Sequence, residues 1–252
     1  MIRLLLLIGT ITLASSAMGC ASRVVCYFPS TEPMAYRTDS PIVIDGKLTE
    51  ADWQNAQRFS LGRSKQDDAK EPHDIEPGWV MFAYDDEYLY LAARLTDSDV
   101  VAEGDQDQMA HWQKGDVLEW FLKPADETWY WELYATPHSL KSSYWFPGGG
   151  RLGLPSSLKY ECDLSVASKI DGTLNKWQDR DNGWTTEMAI PWRDLSKHGE
   201  GVGPGSALRV LVGRYNYSRY LDGVQLTMFP QLSVTNFHTL DEYAPLHFER
   251  RH

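Results

Sequence analysis

Short runs in which apolar and polar residues alternate, separated by turn residues, restrict this chain to a β architecture. The clearest run is 88–95, where Leu89, Leu91, Ala93 and Leu95 recur at every second position, the spacing that places side chains on one face of a strand. Residues 79–84 precede it across Asp85-Asp86-Glu87, so the two segments read as a hairpin. Further strands are expected at 41–44, 117–123, 128–135, 143–146, 160–166, 184–190, 207–215 and 245–249. Helical signals are few. Thr49 and Asp52 resemble a capping box that opens a short helix through Trp53, and residues 64–74 have so little to bury that a solvated loop is expected. About ten strands without a βαβ rhythm indicate an all-β fold, an antiparallel β-sandwich of jelly-roll-like form occupying 40–252 as a single domain.

The first nineteen residues read as an export signal. Arg3 precedes the apolar run Leu4 to Ile8, and small residues follow up to Ala17-Met18-Gly19-Cys20. A small residue before a single cysteine suggests a lipobox, with Cys20 acylated and 20–39 forming a tether; ordinary secretory cleavage near Gly19 or Ala21 is the alternative. Ala21 after the cysteine matches outer-membrane lipoproteins, which would place the protein at a bacterial cell envelope, facing the periplasm or the outside. Cys26 and Cys162 would then be left to form a disulfide, or to stand apart with one of them buried. The formal charge of -11 argues against general affinity for nucleic acid or anionic lipid, so membrane contact is expected through the lipid only.

Aromatic residues are abundant, with 10 tryptophans and 13 tyrosines, and they serve either a thick core or a stacking surface. Period-two placement assigns Trp79, Trp120, Trp129, Trp131, Trp184 and Trp192 to core or sheet faces. Trp145, just before Gly148-Gly149-Gly150, reads either as a lip beside a pocket or as a plug. Trp112 differs because it ends a long loop, 96–115, immediately before a strand; loops of that length in a compact domain are usually functional or disordered. It is either a stacking platform or a hydrophobic anchor for the loop. Glu119 interrupts the apolar alternation of 117–121, as a ligand contact or as an edge or ion-paired carboxylate.

The order of motifs carries more information than any one of them. Pro41-Ile42-Val43-Ile44-Asp45-Gly46 and Trp53 come first, then Asp86-Glu87-Tyr88-Leu89-Tyr90, then Trp112 with Asp116-Val117-Leu118-Glu119. Gly183-Trp184-Thr185-Thr186-Glu187-Met188-Ala189-Ile190-Pro191-Trp192 follows, and last come Asn236-Phe237-His238 and Glu242-Tyr243. From about Pro41 to Phe248 this series resembles the family 9 carbohydrate-binding modules and their stand-alone relatives. The resemblance implies a β-sandwich that binds saccharides, often at a chain end, between two aromatic rings, with polar side chains on the hydroxyls and structural calcium in some members. It implies that Trp112 and Phe237 are the two rings and that Glu119 is a hydroxyl contact. Where the family carries a basic residue and an amide, this chain reads Trp129-Tyr130-Trp131-Glu132-Leu133-Tyr134, so Glu132 and Tyr134 become candidates in a different pattern. Arg214 and Asn216 fall near another polar contact. Such a protein would hold a saccharide or polysaccharide for separate glycoside hydrolases or importers.

Enzymatic readings find less support. There is no serine elbow, no HExxH and no close His/Cys cluster. Glu119, Glu132 and Glu187 could serve as glycosidase carboxylates only if the fold brought two of them together at a defined separation. Asp105 and Asp107 begin like a calcium loop, but Met109 and Ala110 stand where an oxygen ligand and a glycine belong. Two other classes stay open. One is a haem-binding electron-transfer domain using Met81, Met188 or Met228 with His111 or His238; the other is a purely structural surface lipoprotein.

Overall fold

The structure, a computed structural model, describes residues 32–70, 75–147, 160–197 and 201–249. Its strands are β1 (Met34–Arg37), β2 (Phe59–Ser60), β3 (Gly78–Tyr84), β4 (Tyr88–Leu95), β5 (Val117–Pro124) and β6 (Tyr130–Ala135), followed by β7 (Lys141–Phe146), β8 (Ser165–Asp171), β9 (Gly183–Pro191), β10 (Leu208–Asn216), β11 (Gln225–Phe229) and β12 (Ala244–Phe248). Two short helices, α1 (Ala51–Asn55) and α2 (Lys65–Asp68), lie outside the sheet.

All twelve strands belong to one sheet, ordered β7-β6-β5-β10-β12-β1-β3-β4-β9-β8, with β2 added to β3 and β11 to β10. Strand β10 pairs with β5 along one edge; its other edge is shared, residues 208–210 by β12 and 212–216 by β11. The two halves of the sheet face each other across a common core, in which the rings of Phe82 on β3 and Trp120 on β5 lie 6.4 Å apart. Alternation explains that core. Leu89, Leu91, Ala93 and Leu95 enter it from one half, and Leu118, Trp120, Leu122, Trp131, Leu133, Val210 and Val212 from the other. Each large side chain buried this way contributes about 1.5–3 kcal/mol relative to exposure.

The core tryptophans behave as their spacing predicts. Trp120, Trp131, Trp184 and Trp192 are buried, while Trp79, Trp129 and Trp145 are half-buried and packed against apolar clusters. Trp145 is thus attached to the core. On the outer face of β3, β4 and β9 a second apolar layer forms, made of Ile42, Trp53 and Ala56 over Met81, Tyr90 and Ala189. Glu187 fastens this layer: its carboxylate accepts from Trp53 Nε1 at 2.8 Å and from the backbone N–H groups of Gly46 at 2.7 Å and Asp45 at 2.9 Å.

Several expectations are corrected. The sheet is mixed, because β1 runs parallel to both its neighbours, β3 and β12. Residues 34–37 therefore belong to the sheet, although they fall in the segment read as a tether; four residues are too few to show a period. Residues 41–44 form no strand, and Ile42 is buried as part of the covering layer. Helix α1 starts after Glu50 without a side-chain cap, so Thr49 does not act as one. Residues 64–74 contain α2, capped by Ser64, whose hydroxyl accepts from Asp67 N at 3.2 Å. The strand expected at 160–166 begins at Ser165 and runs to Asp171. It is an edge strand that gives only the half-buried Val166 and Ile170 to the core, whereas Tyr160 and Leu164 are core anchors of an irregular segment. Strand β11 is additional. The export signal, Cys20, Cys26 and Gly148-Gly149-Gly150 lie outside the described residues, and with Cys26 so does its pairing with Cys162.

Candidate functional site

The half-sheet β7-β6-β5-β10-β11 has one face in the core and the other facing away from it. Residues of opposite parity to the core set line this second face: Val117, Glu119 and Phe121 on β5, Tyr130, Glu132 and Tyr134 on β6, Leu211, Gly213 and Tyr215 on β10. Register arranges them in rows. Glu119 is paired with Tyr134 on one side and Gly213 on the other, and Gly213 with Met228. In the adjoining row Glu132 is paired with Phe121 and with Tyr144. Glu119 and Glu132 are therefore diagonal neighbours on adjacent strands, a separation within reach of long side chains.

Two loops rise from this face and enclose a cavity of about 440 Å³, within the size range of small-molecule sites. The first loop is 96–116. Asp116 accepts from Val101 N and Tyr217 N, both at 2.7 Å, and Gly115, at φ 136, lets residues 101 and 102 come closer than any Cβ would permit. The Gln108 side chain brackets Ser143, and Ser142 and Tyr144 both donate to the Met109 carbonyl. This loop ends in a 3-10 turn, His111–Gln113, that carries Trp112. The second loop connects β11 to β12. Backbone N–H groups of Lys65 and Gln66 in α2 hold its carbonyls at Leu232 and Ser233, and the Tyr243 hydroxyl donates to the Phe237 carbonyl at 2.6 Å.

Trp112, Glu119, Glu132 and Phe237 all line the cavity. Trp112 is 37% exposed at its mouth. Phe237 is buried and lies flat against the backbone of β10, where a Cβ on Gly213 would come within 2.4 Å of its ring. Tyr215 is in ring contact with both: 6.4 Å from Trp112 at 41°, and 5.7 Å from Phe237, edge to face at 90°. Phe237 is further wedged edge-on against Phe121. The expected pair of rings is thus an aromatic wall of three, with Phe237 fixed deep in it.

Glu119 and Glu132 are 3% and 2% exposed. The Tyr134 hydroxyl donates to Glu132 Oε2 at 2.6 Å. Glu132 Oε1 has His238 Nδ1 at 3.4 Å, outside hydrogen-bond geometry, and Glu119 Oε1 has no partner among the described residues. Burial, reinforced by the neighbouring Glu132, pushes the Glu119 carboxyl well above the usual glutamate range. Burial likewise raises Glu132 to about 8, against the pull of the Tyr134 and Tyr130 hydroxyls. Among the described residues, neither lysine nor arginine lines the cavity.

Arg214 and Asn216 do not reach this site. They have the parity of Val210 and Val212 and lie on the core side of β10, fully buried. Arg214 donates to the Glu76 and Thr96 carbonyls at 3.1 and 2.7 Å and meets Asp97 Oδ2 at 3.2 Å, while Asn216 donates to Glu76 Oε2 at 2.7 Å. Both residues brace the base of the 96–116 loop. Glu187 is likewise structural, on the other half of the sheet. Tyr144, Tyr215 and Gly213 are the site residues that sequence reasoning passed over; the shared parity of Tyr144 with Phe146 was the signal for the first.

Several loop acids are engaged by the protein's own donors. Asp181 gives its oxygens to the N–H groups of Val100 and Thr173, Asp116 to those of Val101 and Tyr217, and Asp97 to Arg214. Among the described residues no group of three or more acids, histidines or cysteines could hold a metal. Met81 and Met188 are enclosed in separate apolar clusters as filling.

No protein-family model matches the sequence, and no curated protein does. Solved structures do. A candidate carbohydrate-binding protein from Bacteroides uniformis matches with a TM-score of 0.63 at 14% identity, over 86% of this chain and 98% of its own. A family 9 carbohydrate-binding module from Caldicellulosiruptor kristjanssonii in complex with cellotriose matches with a TM-score of 0.57 at 14% identity, over 87% and 95%. The same organism's family 9 module in complex with glucose gives 0.55 at 12% identity, over 87% and 97%. The chain thus has the fold of a family 9 carbohydrate-binding module.

Proposed function

We propose that this protein binds a saccharide in the cavity above β5, β6 and β10 and carries out no chemistry on it. The observation that carries the reading is the pairing of an aromatic wall, Trp112, Tyr215 and Phe237, with two buried carboxyls that keep oxygens unpartnered. A pyranose offers an apolar C–H face to such a wall and edge hydroxyls to such oxygens. A buried oxygen without a partner costs about 1–3 kcal/mol, so a ligand hydroxyl that satisfies it is favoured over an empty site. The structural neighbours, two of them complexes with cellotriose and glucose, support a saccharide as ligand.

We read the pair of carboxyls as binding groups rather than as a glycosidase centre. Hydrolysis requires one neutral acid and one ionised partner, and here burial raises both. We further propose that Cys20 carries the lipid that holds the domain at the cell envelope, where it would concentrate saccharide for separate hydrolases or importers.

The test is a glycan array followed by calorimetry on the wild type and on Trp112→Ala and Glu119→Gln. Binding that falls at least tenfold in both variants, with melting unchanged in Trp112→Ala, supports the reading. Absence of binding to any saccharide, or cleavage of a bound one, overturns it. For the anchor, Cys20→Ala should release the protein from the membrane fraction.

A further inference from the structure

The cavity floor constrains the charge of its ligand. Among the described residues no lysine or arginine lines it; its floor carries the Glu119 and Glu132 carboxyls and the hydroxyls of Tyr134, Tyr144 and Tyr215, while Thr235, Asn236 and His238 line the second loop's side. The Tyr134 proton is committed to Glu132 Oε2, and the Tyr144 proton to the Met109 carbonyl at 2.9 Å. These hydroxyls can only accept from a ligand. Glu119 Oε1 and Glu132 Oε1, on side chains at least nine-tenths buried, lack hydrogen-bond partners. Among the described lining residues the half-exposed imidazole of His238 is the one basic group; its Nδ1 shares a hydrogen bond with the Tyr130 hydroxyl at 2.7 Å and stands 3.4 Å from Glu132 Oε1.

From this arrangement we infer that the preferred ligand is a saccharide bearing a free amine, whose ammonium seats between Glu119 and Glu132 under the rings of Trp112, Tyr215 and Phe237. An ammonium has three donors and no acceptor, which complements a floor made of acceptors. It also supplies the positive charge that lets the two carboxyls, which burial otherwise keeps protonated, ionise side by side and accept. Aromatic faces attract a cation placed within about 6 Å of the ring centre. A neutral hydroxyl supplies one donor and no charge, so it satisfies one oxygen and does nothing to favour ionisation of the pair. An acetamide supplies one donor and adds a carbonyl, an acceptor, to a floor already made of them.

This inference rests on the saccharide-binding reading and can fail without it. The experiment compares three trisaccharides of the same β-1,4 linkage, differing only at C2: cellotriose with a hydroxyl, the glucosamine trimer with an amine, and the N-acetylglucosamine trimer with an acetamide. Calorimetry at about pH 7, where a sugar amine is substantially protonated, should show the glucosamine trimer binding at least tenfold tighter than the other two. Glu119→Gln and Glu132→Gln, close in shape and checked by circular dichroism, should each bring the three ligands to within about threefold of one another. Cellotriose binding as tightly as the amine form, or a preference that survives both substitutions, overturns the inference and leaves saccharide binding standing. Failure of all three trimers to bind overturns this inference; if the glycan array is silent as well, the saccharide reading fails with it.

Discussion

Replacing Glu132 by glutamine should stabilise the protein, and by more as the pH rises. Glu132 is 2% exposed, accepts from the Tyr134 hydroxyl at 2.6 Å, and among the described residues has no lysine or arginine within ion-pair distance. Burial raises its carboxyl from 4.5 to about 8. Between those values the folded chain retains a proton that the unfolded chain releases. Its contribution is therefore fully present below about pH 4.5 and is lost as the pH rises through 8. Each pH unit of that interval is worth about 1.36 kcal/mol, which sets a ceiling of about 5 kcal/mol on the whole loss. Glutamine has no proton to lose and keeps the shape and an acceptor for Tyr134.

Urea unfolding of wild type and Glu132→Gln at about pH 5, 7 and 9 measures the difference directly. The two curves should nearly coincide at the lowest pH, and the variant should gain roughly 2–5 kcal/mol on the wild type by the highest. Carboxylates elsewhere, such as Asp163 and Glu242, whose partners hold them below the usual range, contribute equally to both curves and cancel. A variant equally or less stable than wild type at every pH would show that Glu132 is not a buried proton-bearing carboxyl, and the electrostatic account of the cavity floor would fall with it.

Three further substitutions probe the scaffold. Gly213→Ala places a methyl within 2.4 Å of the Phe237 ring; overpacking of this kind should cost about 1–3 kcal/mol in chemical unfolding, with weakened saccharide binding as Phe237 is pushed from the wall. Arg214→Ala leaves Asp97 buried without its cation and two backbone carbonyls without donors. It should cost about 3–5 kcal/mol and increase hydrogen exchange across 96–116, whereas a surface-like loss below about 1 kcal/mol would refute its bracing role. Glu187→Ala removes the acceptor for Trp53, Gly46 and Asp45 and should cost about 3 kcal/mol or more, read as early proteolysis within 41–56; unchanged protease resistance would show that the layer holds itself.

Strand content was legible because each strand has one face in the core and half of its residues report on that face. The same rule recovered the buried tryptophans. Where a segment had little or no such face, the reading failed. Strand β8 is an edge whose inward residues Val166 and Ile170 are only partly buried, β1 is four residues long, and Lys65–Asp68 form a helix whose purpose is to hold another loop rather than to bury a side of its own. Residues 207–213 are apolar at nearly every position, so the parity that separates Gly213 and Tyr215 from Arg214 and Asn216 could not be seen. Arg214 and Asn216 were accordingly assigned to the wrong face.

By itself the sequence determined a β fold with a tryptophan-rich interior, a long loop ending at Trp112, and a carboxylate, Glu119, out of place in an apolar strand. These are local properties, set by the two-residue period of a strand and by the cost of burying charge. That Glu119 and Glu132 share one floor was decided only by the register of β5 on β6. That Phe237 completes the wall beside Tyr215 depended on a glycine on β10 and on a loop held by α2. Register and loop docking arise from contacts between residues far apart in the chain, so no window of sequence contains them.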